Sequence, residues 1–203
     1  MAKSSSFSKK EILSQAFEST KKNFLFLLGV LVIFFVYSVV RGLVSAATKE
    51  FFLVAFLISI LFLLGQMVLQ LGMVKVSLDL VDRGKAEFSE LYMSYPKLLN
   101  FLVASIVYGF VVVLGLILFV IPGIYLIIRY QFYTYYILDK NASAIDSLHM
   151  SADMTRGNIL NLFLLSIIIV FINILGAILL FVGLLFTIPM SMMVYAYLYR
   201  KLA

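Results

Sequence analysis

The chain has 203 residues, 64% of them hydrophobic and 13% charged, with a net charge of +6. An average soluble domain is about 25% charged and roughly half apolar, so a soluble core cannot hide these residues and the natural solvent is a bilayer. There is no cysteine, which excludes disulfides, zinc–thiolate and haem–thiolate sites and cysteine nucleophiles.

Met1 to Asn23 is polar and helical in pattern, without the short apolar run and small-residue cleavage site of a secretory signal, so the chain is expected to insert whole. Ser8-Lys9-Lys10-Glu11 reads as a capping box. Behind it Ile12, Leu13, Ala16, Phe17 and Thr20 share one helical face. Three long apolar stretches follow: about Phe24 to Val74, broken by Ala47-Thr48-Lys49-Glu50, then Leu98 to Leu138, then Asn158 to Leu198. A crossing needs about 20 residues, so each stretch holds two. Six spans in three hairpins are expected, near 24–46, 51–74, 98–116, 118–138, 158–177 and 179–199. The second and third hairpins have almost no polar loop, so their turns are assigned to Gly115 or Gly123 with Pro122, and to Gly176 or Gly183, with Pro189 starting or kinking the last helix.

Two further polar segments resemble the first. Phe88, Leu91, Tyr92 and Tyr95 repeat at helical spacing before Pro96. Ser143 and Asp146 can cap a helix with Ile145, Leu148, Ala152 and Thr155 on one face, ended by Gly157. Each reads as an amphipathic helix at the cytoplasmic surface preceding a hairpin. The expected fold is therefore all-α and polytopic, a single membrane domain over 1–203. A threefold repeat is suggested at 8–74, 84–138 and 142–199. Leu80-Val81-Asp82-Arg83 aligns with Ile137-Leu138-Asp139-Lys140, and Phe119-Val120-Ile121-Pro122 with Phe186-Thr187-Ile188-Pro189.

Charge sets the orientation. Thirteen of the 16 Lys and Arg residues lie before the first span, between the second and third, between the fourth and fifth, or after the last. The positive-inside rule makes that side cytoplasmic and puts both termini there. These charges carry no solvated basic stripe, so nucleic acid is not the expected partner; anionic lipid headgroups are. Lys21, Lys22 and Arg156 are the interfacial cations placed to meet them.

Several of these segments resemble a known group. They are Glu11-Ile12-Leu13-Ser14-Gln15-Ala16-Phe17, then Lys21-Lys22-Asn23, Ile121-Pro122-Gly123 with Arg129-Tyr130 and Asp139, and Ser147-Leu148 through Thr155-Arg156-Gly157-Asn158. Together they resemble the YciC-like bacterial multi-pass inner-membrane proteins of unknown function. They are also similar to the membrane domain of membrane-anchored glycerophosphodiester phosphodiesterases. The resemblance implies a bacterial cytoplasmic-membrane protein and carries no activity, because the phosphodiesterase barrel has no counterpart in this sequence.

No clustered titratable groups, zinc motif, nucleophile elbow or phosphate loop point to catalysis; no enzyme, metal or cofactor is expected. His149, the one histidine, lies near Asp146 and Asp153 on a short polar helix and reads as a surface residue. Asp79, Asp82, Glu87 and Glu90, interleaved with cations, read as a salt-bridged solvated face. Tyr130, Phe132, Tyr133, Tyr135, Tyr136, Tyr195, Tyr197 and Tyr199 read as an aromatic headgroup belt. Gln66, Gln70 and Asn173 read as residues that join helices.

Arg129 stands apart. It falls near the middle of the fourth predicted span, where a guanidinium costs roughly 2.5–3.5 kcal/mol on insertion scales, and no acid lies within any span to pair it. Carbonyls freed near Pro122, hydroxyls of Tyr108 or Tyr37, water or an anion are its available partners. Arg129, Tyr108, Tyr130 and Pro122 are the candidate anion or lipid site, since Arg holds phosphate bidentately. The competing reading is a structural arginine that bonds helix ends or snorkels to an interface. The functional expectation is a non-enzymatic inner-membrane protein that organises or handles lipid or scaffolds partners. Its alternative is a small transporter or channel for an anionic or amphiphilic solute, and a homo-oligomer or a membrane-protein partner is compatible with either.

Overall fold

Ser8 opens the first helix as its capping box predicts. In the computed structural model, which describes residues 7–179 and 182–203, the Ser8 hydroxyl accepts the Glu11 amide and α1 runs Lys9–Lys22. Then come α2 (Phe24–Thr48), α3 (Phe52–Arg83), α4 (Glu90–Met93), α5 (Leu98–Leu118) and α6 (Val120–Tyr130). The chain closes with α7 (Tyr133–Asp139), α8 (Ala144–Thr155), α9 (Ile159–Ile178) and α10 (Leu184–Leu202). No strand occurs among the described residues, and the fold is all-α.

Four runs are long and apolar enough to cross a bilayer: Phe24–Thr48, Phe52–Arg83, Glu90–Leu118 and Ile159–Ile178. They mark a multi-pass membrane protein. The remaining two expected spans look different. The apolar run 118–138 is not one helix, because α6 stops at Tyr130 and α7 restarts at Tyr133. With 11 and 7 residues, neither piece reaches across alone. The last helix is 19 residues long but takes in Arg200 and Lys201.

Of the glycines assigned to turns, Gly183 lies in the turn before α10, whereas Gly115, Gly123 and Gly176 lie within helices. Chain reversal between α5 and α6 occurs at extended Phe119. Gly115 and Gly123 instead face each other across the hairpin, where a Cβ on the first would lie 3.1 Å from the second's Cα. Gly183 meets Gly176 in the same way between α9 and α10, at 2.7 Å. Small residues let helix backbones approach where lipid offers no hydrophobic drive to bring them together.

The short helices pack on longer neighbours and on α7: α4 on α3, α8 on α6 and α7, and α1 on α10. The second segment is shorter than its periodicity predicts. Its helix covers only Glu90–Met93, and Leu91 alone of the four periodic residues is buried. It sits on Gly72 of α3, where an added Cβ would stand 2.1 Å from the Leu91 carbonyl oxygen.

The inner helices α3, α7 and α10 converge at the end that carries most charges. Arg200 donates from Nε to Asp82 Oδ1 at 2.8 Å and from a terminal nitrogen to Asp82 Oδ2, and its Nη1 lies 2.8 Å from Asp139 Oδ1. Tyr199 donates its hydroxyl to Asp139 at 2.9 Å. Beneath this cluster Phe132, Tyr135, Tyr136, Tyr195 and Tyr199 pack ring on ring at 5.1–6.4 Å. The expected headgroup belt is thus largely an internal aromatic core: Phe132 and Tyr199 are fully buried, and Tyr133, Tyr135 and Tyr136 nearly so. Edge-to-face and offset packing together with a satisfied hydroxyl explains why tyrosine serves here. Asp79, expected on a solvated face, is buried and bridged by Lys75 at 2.8 Å and by Arg83, which also reaches Glu90.

Gly72→Ala should cost about 1–3 kcal/mol by overpacking α3 against α4, read as a lowered Tm in detergent, while Gly42→Ala, with open space around it, leaves Tm unchanged. Burial pushes the Asp139 carboxyl up, but hydrogen bonds from Arg200 and Tyr199 and the charges of Arg200 and Lys140 outweigh it and hold it below its ordinary value of 3.8. A carboxyl depressed on folding contributes in full above its unfolded value and loses that contribution as pH falls through the folded one. Tm should therefore drop on acidification below about pH 4, and by less in Asp139→Asn.

Candidate functional site

The apolar run 118–138 breaks at Gln131 and Phe132, and backbone groups buried there must find partners within the protein. Two hydroxyls of α8 supply the bonds. Ser151 Oγ accepts the Phe132 amide at 3.1 Å and donates to the Arg129 carbonyl at 3.1 Å. Thr155 Oγ1 lies 3.0 Å from the same carbonyl, sharing its proton with the Ser151 carbonyl of its own helix at 2.9 Å. The face that α8 buries is thus Ser147, Leu148, Ser151, Ala152 and Thr155, a mostly hydroxylated surface, while Ile145 is exposed. Ser143 caps this helix, accepting the Asp146 amide at 3.2 Å.

Pro122 plays no part in the break. It is the third residue of α6, within the first turn whose amides have no intrahelical partner, so it frees no carbonyl for Arg129. Nor do Tyr108 and Tyr37 serve the guanidinium. Tyr37 gives its hydroxyl to the Phe62 carbonyl, and Tyr108 packs against Tyr133 with ring centroids 5.3 Å apart.

Arg129 reaches back one turn instead. Its Nη1 donates to Tyr125 Oη at 2.6 Å, with the guanidinium carbon 5.7 Å from the Tyr125 ring centroid. Its Nε is buried and has no hydrogen-bond partner. Among the described residues no carboxylate pairs with it; the ion pairs involve other cations. Tyr125 is also a wall of an apolar cleft of about 480 Å³ between α6 and α9, lined further by Ile121, Ile124, Ile128, Ile159, Leu160 and Phe163. The cleft has no charged lining residue. Exposed Arg156 lies on the joint between Thr155, which touches the Arg129 carbonyl, and Ile159, which lines the cleft.

Tyr130 and Tyr108 come together elsewhere, in a separate pocket of about 170 Å³ with His149 and apolar walls from Val107, Val111, Ile145 and Leu148. Lys21 and Lys22 line a third, open groove with Asn23, Glu18, Leu80 and Tyr197. The predicted site residues therefore divide among three places on the molecule. No family model matches the chain, and no curated protein or solved structure resembles it closely enough to be called a relative.

Sequence reasoning passed over Tyr125, Ser151 and Thr155. The available signal was spacing: Ser147, Ser151 and Thr155 recur every four residues, a hydroxyl stripe that has reason to face polar backbone rather than lipid. Ser151→Ala combined with Thr155→Val should leave the Arg129 carbonyl and the Phe132 amide unsatisfied, at about 1–3 kcal/mol per group. Hydrogen exchange at 129–133 should accelerate more than at the distal half of α5.

Proposed function

We propose that this chain is a non-enzymatic, multi-pass protein of the bacterial cytoplasmic membrane that holds an anionic lipid at the α6–α9 cleft. The acyl chain would lie in the cleft, and the phosphate would sit on Arg129 with Arg156 beside it. The carrying observation is the Arg129 guanidinium: it has no carboxylate partner, its Nε is buried and unbonded, and it is one hydrogen bond from the wall of an apolar cleft. A guanidinium favours phosphate because its fork matches two oxygens at once. An apolar groove ending in a cation is complementary to an anionic lipid at both ends of that molecule.

On this reading α6 and α7 together make a fourth crossing and α10 a sixth, with both termini cytoplasmic. The excess of Lys and Arg in the intervening segments supports that orientation. The docking of α4 on α3, α8 on α6 and α7, and α1 on α10 supports three units arranged in a closed ring. The likeness to YciC-like proteins accords with a membrane role and adds no activity. Transport of an anionic solute is the second reading. It is less favoured because Phe132, Tyr135 and Tyr199 fill the space among α3, α7 and α10 that a central path would use. A second copy or another membrane protein is the partner class left to the same measurement.

Native mass spectrometry of the protein extracted with its lipids tests the site. Wild type should retain an anionic phospholipid, and Arg129→Gln should lose it, while Arg41→Gln keeps it. Equal retention in wild type and Arg129→Gln makes Arg129 structural and removes the proposal's footing. Topology is checked by reporter fusions after Gly84, Asn141 and Ala203, all three expected to read cytoplasmic.

A further inference from the structure

The pocket holding Tyr108, Tyr130 and His149 is not used by the lipid reading. Three helices bring its polar tips together: Tyr108 from α5, Tyr130 from α6 and His149 from α8. Among the described residues none of these tips is hydrogen-bonded within the protein. The neighbouring Tyr133 hydroxyl pairs with Ser105 at 2.9 Å, and the Arg129 guanidinium goes to Tyr125 rather than Tyr130. No Lys, Arg, Asp or Glu lines the pocket, and Val107, Val111 and Leu148 supply apolar walls. This composition suits neither a phosphate nor an amine, because neither would meet an opposite charge. Its volume of about 170 Å³ is close to that of a cavity, ~150 Å³, which admits a benzene ring.

We propose that this pocket binds the head of a neutral, lipid-soluble ligand: a ring bearing carbonyl or hydroxyl oxygens on an apolar tail, the chemistry of a membrane quinone or its quinol. Two phenol hydroxyls and an imidazole supply both donors for a carbonyl and acceptors for a hydroxyl, so both redox forms find partners at the same tips. The apolar walls take the ring, following the general pattern of a mostly apolar pocket with a few convergent polar groups. Exposed His149 and Ile145 stand at the rim, where the tail can leave for lipid. The site is independent of the Arg129 cleft, sharing none of its lining residues.

The test uses the full chain in nanodiscs of phosphatidylcholine and phosphatidylglycerol, doped with a short-tailed benzoquinone in one arm, its quinol in a second and diacylglycerol in a third. Native mass spectrometry should show a saturable one-to-one adduct with the quinone, the quinol or both. His149→Leu and Tyr130→Phe should each weaken it about tenfold, the loss of one hydrogen bond at the upper end of its usual range. His149→Gln, which keeps a donor and an acceptor, should recover part of the loss. Arg129→Gln should leave this adduct intact even where it releases the anionic lipid, so the two sites fail separately. A saturable adduct with diacylglycerol alone overturns the ligand class. No saturable adduct in any arm, or one indifferent to His149→Leu and Tyr130→Phe, overturns the site.

Discussion

A helix interrupted where its backbone is buried has to find replacement partners, and the break at Gln131–Phe132 governs much of this structure. Each carbonyl or amide left unsatisfied there costs about 1–3 kcal/mol. Ser151 answers both, accepting the Phe132 amide and donating to the Arg129 carbonyl, and Thr155 also bonds that carbonyl. That obligation fixes α8 across α5, α6 and α7. With α8 held there, His149 has to face Tyr108 and Tyr130, and the Thr155–Ile159 joint brings the start of α9 against α6. Both the pocket and the cleft are consequences of how the break is closed.

The second organising element is ionic. Arg200 joins Asp82 and Asp139, which end α3 and α7, so one guanidinium ties three inner helices at one level. The side chains are only partly exposed, and a pair in such a place is stabilising chiefly when every remaining polar atom is also bonded. Tyr199 supplies one such bond to Asp139 while its ring joins the aromatic core below. Aromatic packing and the ion cluster therefore reinforce each other. Together they close the inner bundle, which leaves lateral, lipid-facing sites as the places where a ligand can be held.

Local signals in the sequence were legible where the physics was local. The Ser8 and Ser143 caps, the long apolar helices α2, α3, α5 and α9, and the bond from Asn173 to Ser191 that links α9 with α10 all follow from residue type and spacing. What escaped was tertiary. Nothing in Ile127-Ile128-Arg129-Tyr130-Gln131-Phe132 breaks a helix; the interruption is held open by hydroxyls 19 to 26 residues further along. The aromatic residues were misread for a related reason. Tyrosine suits a headgroup belt and a buried core with a polar tip equally well, and only the partner helix decides. Gly115, Gly123 and Gly176 escaped because close approach between backbones and a tight turn ask for the same residue.

Whether Arg129 is a ligand site or only a tolerated cation turns on magnitudes. At the centre of a span its insertion would cost roughly 2.5–3.5 kcal/mol. The hydrogen bond to Tyr125 is worth about 0.5–1.5 kcal/mol net and the ring contact about 0.5–2 kcal/mol, so these two contacts come near to offsetting it. Tolerance alone thus accounts for the residue's presence and for the direction of Nη1. It does not account for Nε, which is buried with no acceptor and carries a further penalty of about 1–3 kcal/mol. A side chain snorkelling to water would not bury that nitrogen. The orphaned nitrogen is the feature an anion would complete, and it lies beside the apolar cleft where a lipid's own chain has room to follow.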